Sequence, residues 1–109
     1  MDKLEIDFDN NVIFINDQSI ELSSISLINL ILDLKYYHAN IATIQDMKLT
    51  YNSHTGDGLC YQILRGKFTV YIFNLTNRQS QFIDITKQLA KTIVDQYDQY
   101  CGERKNQRH

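Results

Sequence analysis

His54 and Asp57 stand three residues apart in the segment Asn52-Ser53-His54-Thr55-Gly56-Asp57-Gly58, just behind Tyr51. An imidazole whose ring is oriented by a carboxylate is the smallest general-base unit, and a glycine-bearing loop is where such a unit could be held. The chemistry would be that of a small hydrolase. The sequence offers this pair no nucleophile at a recognisable motif, neither a nucleophile elbow nor a phosphate-cradling glycine loop. Asp before Gly is also ordinary turn chemistry. The pair therefore reads first as a solvated loop, and the chain as a non-enzyme.

Metal chemistry has less to build on. His38, His54 and His109 are far apart, Cys60 and Cys101 are separated by forty residues, and no pair has the short spacing of a zinc site. Asp7 and Asp9 share one strand face, where alternating acids are ordinarily solvated. No cofactor is expected. In a reducing cytosol both cysteines would be buried or half-buried small residues.

Binding chemistry has more material. Seven Tyr and five Phe with no Trp are many aromatics for 109 residues. Tyr36, Tyr37, Tyr97 and Tyr100 are the candidates for a protein-binding patch, because Tyr is enriched at interfaces. Arg65, Lys67, Arg78, Lys87 and Lys91 interleave with Tyr61, Phe68 and Tyr71 around two aromatic-rich strands. Sheet-based single-strand binders stack bases on such faces, so Arg65, Lys67, Tyr71 and Arg78 are the candidates for a nucleic-acid surface. No recognised RNA-binding motif accompanies them.

The net charge of −2 argues against strong nucleic-acid affinity, but its distribution is uneven. Residues 1–57 carry nine acidic against three basic side chains, and residues 58–109 carry four acidic against eight basic. Such a split either draws the halves together or presents a polar surface to a partner.

These side chains must be placed by a small number of elements. Leu4, Ile6 and Phe8 alternate with Glu5, Asp7 and Asp9, the pattern of a half-buried strand, and Asp9-Asn10-Asn11 suits a hairpin turn. Val12 to Ile15 follows; Asn16-Asp17 interrupts it before Ile20 and Leu22, which predicts a hairpin with a kinked second arm. Ser23 or Ser24 can cap a helix whose core stripe is Leu27, Ile28, Ile31 and Leu34, widened by Ile25 and Leu30, ending near Asn40. Residues 41–51 read as either helix or strand, with Leu49-Thr50-Tyr51 the more strand-like part.

Leu59–Leu64 and Lys67–Phe73 are the strongest β signal, joined by a tight turn at Arg65-Gly66. One register puts Leu59, Tyr61, Ile63, Phe68, Val70 and Ile72 inside; a slip of one residue would expose them. Phe82-Ile83 is a short strand. A last helix, capped by Asp84 or Thr86, turns Leu89, Ile93, Val94, Tyr97 and Cys101 inward and stops at Gly102.

The order β-β-α-β-β-β-α, with local hairpins and no regular β-α alternation, predicts an α+β fold: a small antiparallel sheet of two hairpins packed by two main helices. Residues 1–102 form one domain and 103–109 a polar tail that frays. With 43% hydrophobic and 22% charged residues the composition is that of a globular chain. No apolar run reaches the ~18 residues of a membrane span, and the acidic N-terminus is not a secretory signal, so the expected address is the cytoplasm.

Leu4-Glu5-Ile6-Asp7 through Val12, then Asp17 to Ser23 and the apolar helix to Leu34, resembles the opening of an OmpR-type winged-helix domain. Arg65-Gly66-Lys67-Phe68 is similar to that family's wing. The resemblance implies a DNA-binding protein. Nothing between Ile41 and Leu59 has the basic character of a recognition helix, and the family is not adopted.

The expectation drawn from all this is a small non-enzymatic protein-binding module: an inhibitor, immunity or adaptor protein. The richness in Ile, Asn, Asp and Tyr without Pro or Trp suggests a bacterial, phage or mobile-element origin, for example a phage anti-defence inhibitor. The alternative is a nucleic-acid-binding accessory protein using the second hairpin, and a hydrolase around His54 comes last. A homodimer through a sheet edge or the last helix is compatible with each.

Overall fold

The computed structural model describes residues 3–40, 45–53, 56–75 and 77–106. Its elements run β1 (Leu4–Asp7), β2 (Val12–Ile15), β3 (Gln18–Glu21), α1 (Ser24–Asn40), β4 (Met47–Asn52), β5 (Gly58–Leu64), β6 (Lys67–Asn74), β7 (Gln79–Ile85) and α2 (Lys87–Asn106). The fold is α+β. It has two antiparallel sheets where one was expected: a three-stranded meander β1-β2-β3 and a four-stranded meander β4-β5-β6-β7.

The first sheet differs from the expected kinked arm at Asn16-Asp17. Asn16 takes φ of 54°, in the left-handed region that Asn tolerates, and Ile15 pairs with Gln18, so the chain reverses and β3 returns along β2. The β1–β2 turn is held by the Asp7 carboxylate. Its Oδ1 accepts from the N–H groups of Asp9 and Asn10 at 3.1 and 3.3 Å, and Oδ2 accepts from Asn10 Nδ2 at 2.9 Å.

Residues 47–52 form β4, paired with β5 from Met47 opposite Ile63 to Asn52 opposite Gly58. Strand therefore occupies the place where a winged-helix domain would carry recognition-helix residues. In the second sheet the register is the one that buries Leu59, Tyr61, Ile63, Phe68, Val70 and Ile72, joined by Ile83 and Ile85 of β7. This inner face is the core. The smaller sheet covers one end of it, where Gln18 donates to Gln79 Oε1 at 2.9 Å, Asn16 to Gln81 Oε1 at 3.1 Å and Asn74 to the Ser19 carbonyl at 3.3 Å.

The two helices cover the rest. Ser23 is the N-cap of α1, its hydroxyl accepting from the Ser26 N–H at 3.1 Å. Thr86 caps α2 in the same way, accepting from the Leu89 N–H at 3.1 Å, while Asp84 belongs to β7. From α1 the core receives Leu27, Leu30, Ile31, Leu34 and Tyr37; from α2 it receives Ala90, Ile93 and Val94. The Tyr61 hydroxyl, on β5, donates to the Asp33 carboxylate on α1. Burial first, and that carboxylate second, push the Tyr61 hydroxyl well above its ordinary value.

Three expectations about the helices are corrected. Ile25 and Ile28 face outward, because the core stripe of α1 is centred on Leu30 and Leu34, on the opposite side of the helix. Cys101 is exposed, since α2 has passed the edge of the core by that point, whereas Cys60 is half-buried. Gly102 does not stop α2, which continues to Asn106: the glycine adopts no left-handed turn and only weakens local helix propensity. No helix of the described residues is long and apolar enough to cross a membrane.

Candidate functional site: the open face of the larger sheet

With both helices and the small sheet packed on one side, the other side of the four-stranded sheet has no described element over it. Strand alternation dictates what it shows. The residues that alternate with the buried ones pair among themselves, Thr50, Cys60, Tyr71 and Phe82 in one row across the sheet and Lys48, Gln62, Thr69 and Asp84 in the next. The Tyr71 and Phe82 rings lie 5.6 Å apart and within 20° of parallel. Phe73 follows two residues along β6. Tyr71, Phe73 and Phe82 are 40–53% exposed, which no core role explains.

Beside the aromatics lies a shallow depression of about 170 Å³, bounded by Thr50, Asn52, Gly58, Cys60, Tyr71 and Phe73. Its rim is fixed by the loops at that end. Asp57 Oδ1 accepts from the Leu75 N–H at 2.9 Å, and Gly56, at φ of 91°, lets the Leu75 side chain approach. A Cβ on Gly56 would stand 2.5 Å from Leu75 Cδ2. Asp57 is thus a loop tie. His54, its expected partner in general-base chemistry, lies outside the described residues.

At the polar end of the face Asp84 ties two neighbours together. Lys67 Nζ is 3.2 Å from Asp84 Oδ2, and Thr69 Oγ1 donates to Asp84 Oδ1 at 3.0 Å. Arg65 occupies the β5–β6 turn at φ of 51°, with its own N–H donating to Asp46 Oδ1 at 2.8 Å. Arg78 occupies the β6–β7 turn at φ of 54°. These two guanidinium groups sit beyond opposite ends of β6, a strand about 25 Å long at 3.3 Å per residue. Of the four residues read as a nucleic-acid surface, Tyr71 and Lys67 share the sheet face, and Arg65 and Arg78 mark its two ends. Lys87 and Lys91 are on α2, where Lys91 pairs with Asp95, and Tyr61 and Phe68 are in the core.

The four tyrosines read as a protein-binding patch do not converge. Tyr37 is a core residue: its ring packs 5.3 Å from Phe68 and its hydroxyl donates to the Ile85 carbonyl at 3.3 Å. It is turned away from Tyr36 because neighbouring residues on a helix lie 100° apart, enough to put one in the core and the other in solvent. Tyr36 is exposed on the outer side of α1. Tyr97 and Tyr100 come together on α2, each with its ring 5.5 Å from Phe8, at a cleft of about 320 Å³ that also includes Asp9, Ser24 and Arg104. Arg104 donates to the Tyr100 hydroxyl at 2.7 Å. A hydrogen bond with Cys101, and then burial, raise the Tyr97 hydroxyl above its ordinary value.

A cleft of about 470 Å³ lies between β3 and the end of β4, lined by Ser19, Glu21, Ser23, Tyr51, Ser53 and Asp57. Among the described residues no group of three His, Cys, Asp or Glu is placed to hold a metal ion. Comparison with protein families, with curated proteins and with solved structures gives no match to this chain.

Sequence reading missed Phe73 and Phe82 as surface residues. The signal was there: once Ile72 and Ile83 are inside, period two puts Phe73 and Phe82 outside beside Tyr71.

Proposed function

We propose that the chain is a small non-enzymatic protein-binding module, an inhibitor, immunity or adaptor protein at work in the cytoplasm, whose partner seats on the open face of the larger sheet. The observation that carries this reading is the exposed cluster Tyr71, Phe73 and Phe82 on one flat, hydrogen-bonded face. Aromatic side chains held rigidly by a sheet supply contact area at little conformational cost and dominate interface energetics. A polar rim surrounds them, and Asp84 offsets Lys67, so that with Lys48 and Arg65 this end of the face carries a modest positive charge, short of the dense basic surface that a polyanion selects.

A tagged chain passed through lysate of its native host, with and without nuclease, tests the reading. One protein partner should survive nuclease and moderate salt, and should be lost with Tyr71→Ser or Phe82→Ser. Retention of that partner by both variants would place its site elsewhere.

The parallel rings of Tyr71 and Phe82 favour a second reading, single-stranded nucleic acid stacked on that pair with Lys67, Arg65 and Arg78 along the backbone. It requires binding that weakens steeply as salt rises and that falls in Arg65→Ala/Lys67→Ala; no binding at low salt would end it.

A further inference from the structure

The helix α1 is apolar on two opposite sides. Leu27, Leu30, Ile31, Leu34 and Tyr37 fill the core, yet Ile25, Ile28, Leu32 and Tyr36 are 42–73% exposed and Ala39 is exposed beside them. At 100° per residue these five fall within about 40° of one line along the helix, directly away from the core. Single exposed apolar residues are common on protein surfaces, but a continuous stripe over four turns is not. The stripe lies on the helical side of the molecule, away from the open sheet face, so a partner on the sheet leaves it uncovered.

Its spacing has a symmetry that selects the occupant. Ile25, Ile28, Leu32, Tyr36 and Ala39 are separated by three, four, four and three residues, a series that reads the same from either end and is centred on Leu32. A two-fold interface needs one patch complementary to itself, residue i meeting j while j meets i. An antiparallel pair of α1 helices meets that condition: Leu32 faces Leu32 of the second copy, Ile28 faces Tyr36, and Ile25 faces Ala39. The charges fit the same arrangement. Glu21 is exposed just before the helix and Lys35 is exposed in its second half, on the flank of the stripe about 60° from its line, so the two-fold turns the acidic end of each patch towards the basic flank of the other. The helix dipoles oppose in the same sense, each N-terminus beside the partner's C-terminus. No charged side chain lies on the centre line.

We infer that the outer face of α1 is a homodimer interface, an antiparallel two-fold helix pair centred on Leu32, which leaves both sheet faces outward and makes the binding module bivalent.

Molar mass by light scattering and sedimentation should approach twice the 12.8 kDa of the chain at tens of micromolar. A 12.8 kDa particle at all concentrations up to about 1 mM, the weak end of specific association, would overturn the proposal. Leu32→Glu sets two like charges in contact across the axis and should weaken the dimer at least about a hundred-fold. Ile25→Asp, at the most exposed position of the stripe, should also weaken it while leaving the far-UV spectrum unchanged. A dimer that survives both substitutions, or that is lost instead in Tyr71→Ser/Phe82→Ser, would overturn the assignment to α1.

Orientation is tested in a Cys101→Ser background. Leu32→Cys should form an interchain disulfide under mild oxidation, because the two copies of position 32 meet. Ile25→Cys should not, its two copies lying about 21 Å apart along the axis at 1.5 Å per residue. Equal cross-linking at both positions would mean a parallel pair and would overturn the antiparallel two-fold.

Discussion

The side chain on which the core depends most unusually is Tyr61, because it carries a polar hydroxyl into the layer between sheet and helix and finds a single carboxylate there, Asp33. Tyr61→Phe leaves Asp33 short of a donor at small cost in volume. Urea unfolding should show a loss of about 1.5–3 kcal/mol, the range for a hydrogen bond to a charged group. The pH dependence has a definite sign. A hydroxyl whose folded value is raised stabilises the fold fully below its unfolded value of about 10 and loses that contribution as pH climbs towards the raised value. Wild type should therefore lose stability more steeply above pH 10 than Tyr61→Phe; parallel curves would contradict the assignment. Asp7 runs the other way. The Asn10 side chain, followed by the N–H groups of Asn10 and Asp9, holds its carboxyl below the usual range despite some desolvation. Its contribution is complete above an unfolded value of about 3.9 and is lost as pH falls below it. Asp7→Asn should flatten the acid limb of the stability curve there, and an unchanged limb would mean the turn is held by its backbone alone. Asp7 reads in the sequence as a solvated strand acid beside a turn, and its ties to Asp9 and Asn10 follow only once that turn is formed; Tyr61 reads as one aromatic among twelve, because its partner Asp33 is brought to it by the packing of α1 on the sheet.

Turns and caps are the scale at which the sequence is most legible. Ser23, Thr86 and Arg65-Gly66 announce their roles by residue type, since orphan N–H groups at a helix start need an oxygen and a two-residue hairpin with both φ values positive needs permissive residues. At the Arg65-Gly66 turn, φ is 51° and 79°. Gly66→Ala meets no steric contact within 4 Å, so its cost is the backbone strain alone, about 1–2 kcal/mol. Arg65→Asn should move the other way, stabilising by up to about 1 kcal/mol, because Asn visits that region more readily than Arg. Equal stability of all three proteins in thermal unfolding would show that the turn is not left-handed in solution. Less legible were the elements where two patterns coincide. The outer stripe of α1 reads together with the inner one because a helix apolar on two opposite sides offers two stripes of the same period and no ground for choosing between them. Residues 47–52 were ambiguous because Met47, Leu49 and Tyr51 alternate within a run that also contains helix-tolerant residues, and only pairing with β5 decides it. Gly102 misled in the opposite direction: punctuation by glycine holds where the chain must turn, and α2 has nowhere it must turn.

At the scale of the whole molecule, the layers explain why a chain of 109 residues has surface to give to partners. One sheet face, two helices and a small sheet make the core, and what remains is a flat aromatic face on one side and an apolar helical stripe on the other. The sequence showed the abundance of aromatics and the absence of catalytic motifs, but it could not say which tyrosines were core; Tyr36 and Tyr37 are adjacent in the chain, yet one is in solvent and the other in the core. Among the described residues the uneven charge is not expressed as salt bridges between the two halves. The ion pairs Lys3–Glu5, Lys67–Asp84 and Lys91–Asp95 each lie within one half of the chain, while contacts between the halves include neutral amides such as Gln18–Gln79 and Asn16–Gln81. A partner seated on the sheet face is measured through its affinity for wild type and for Tyr71→Ser/Phe82→Ser, by calorimetry on nuclease-treated proteins. The double variant should fold with an unchanged far-UV spectrum and bind at least about thirty-fold more weakly, the mark of a truncated aromatic anchor. Unchanged affinity in a folded double variant would contradict that placement.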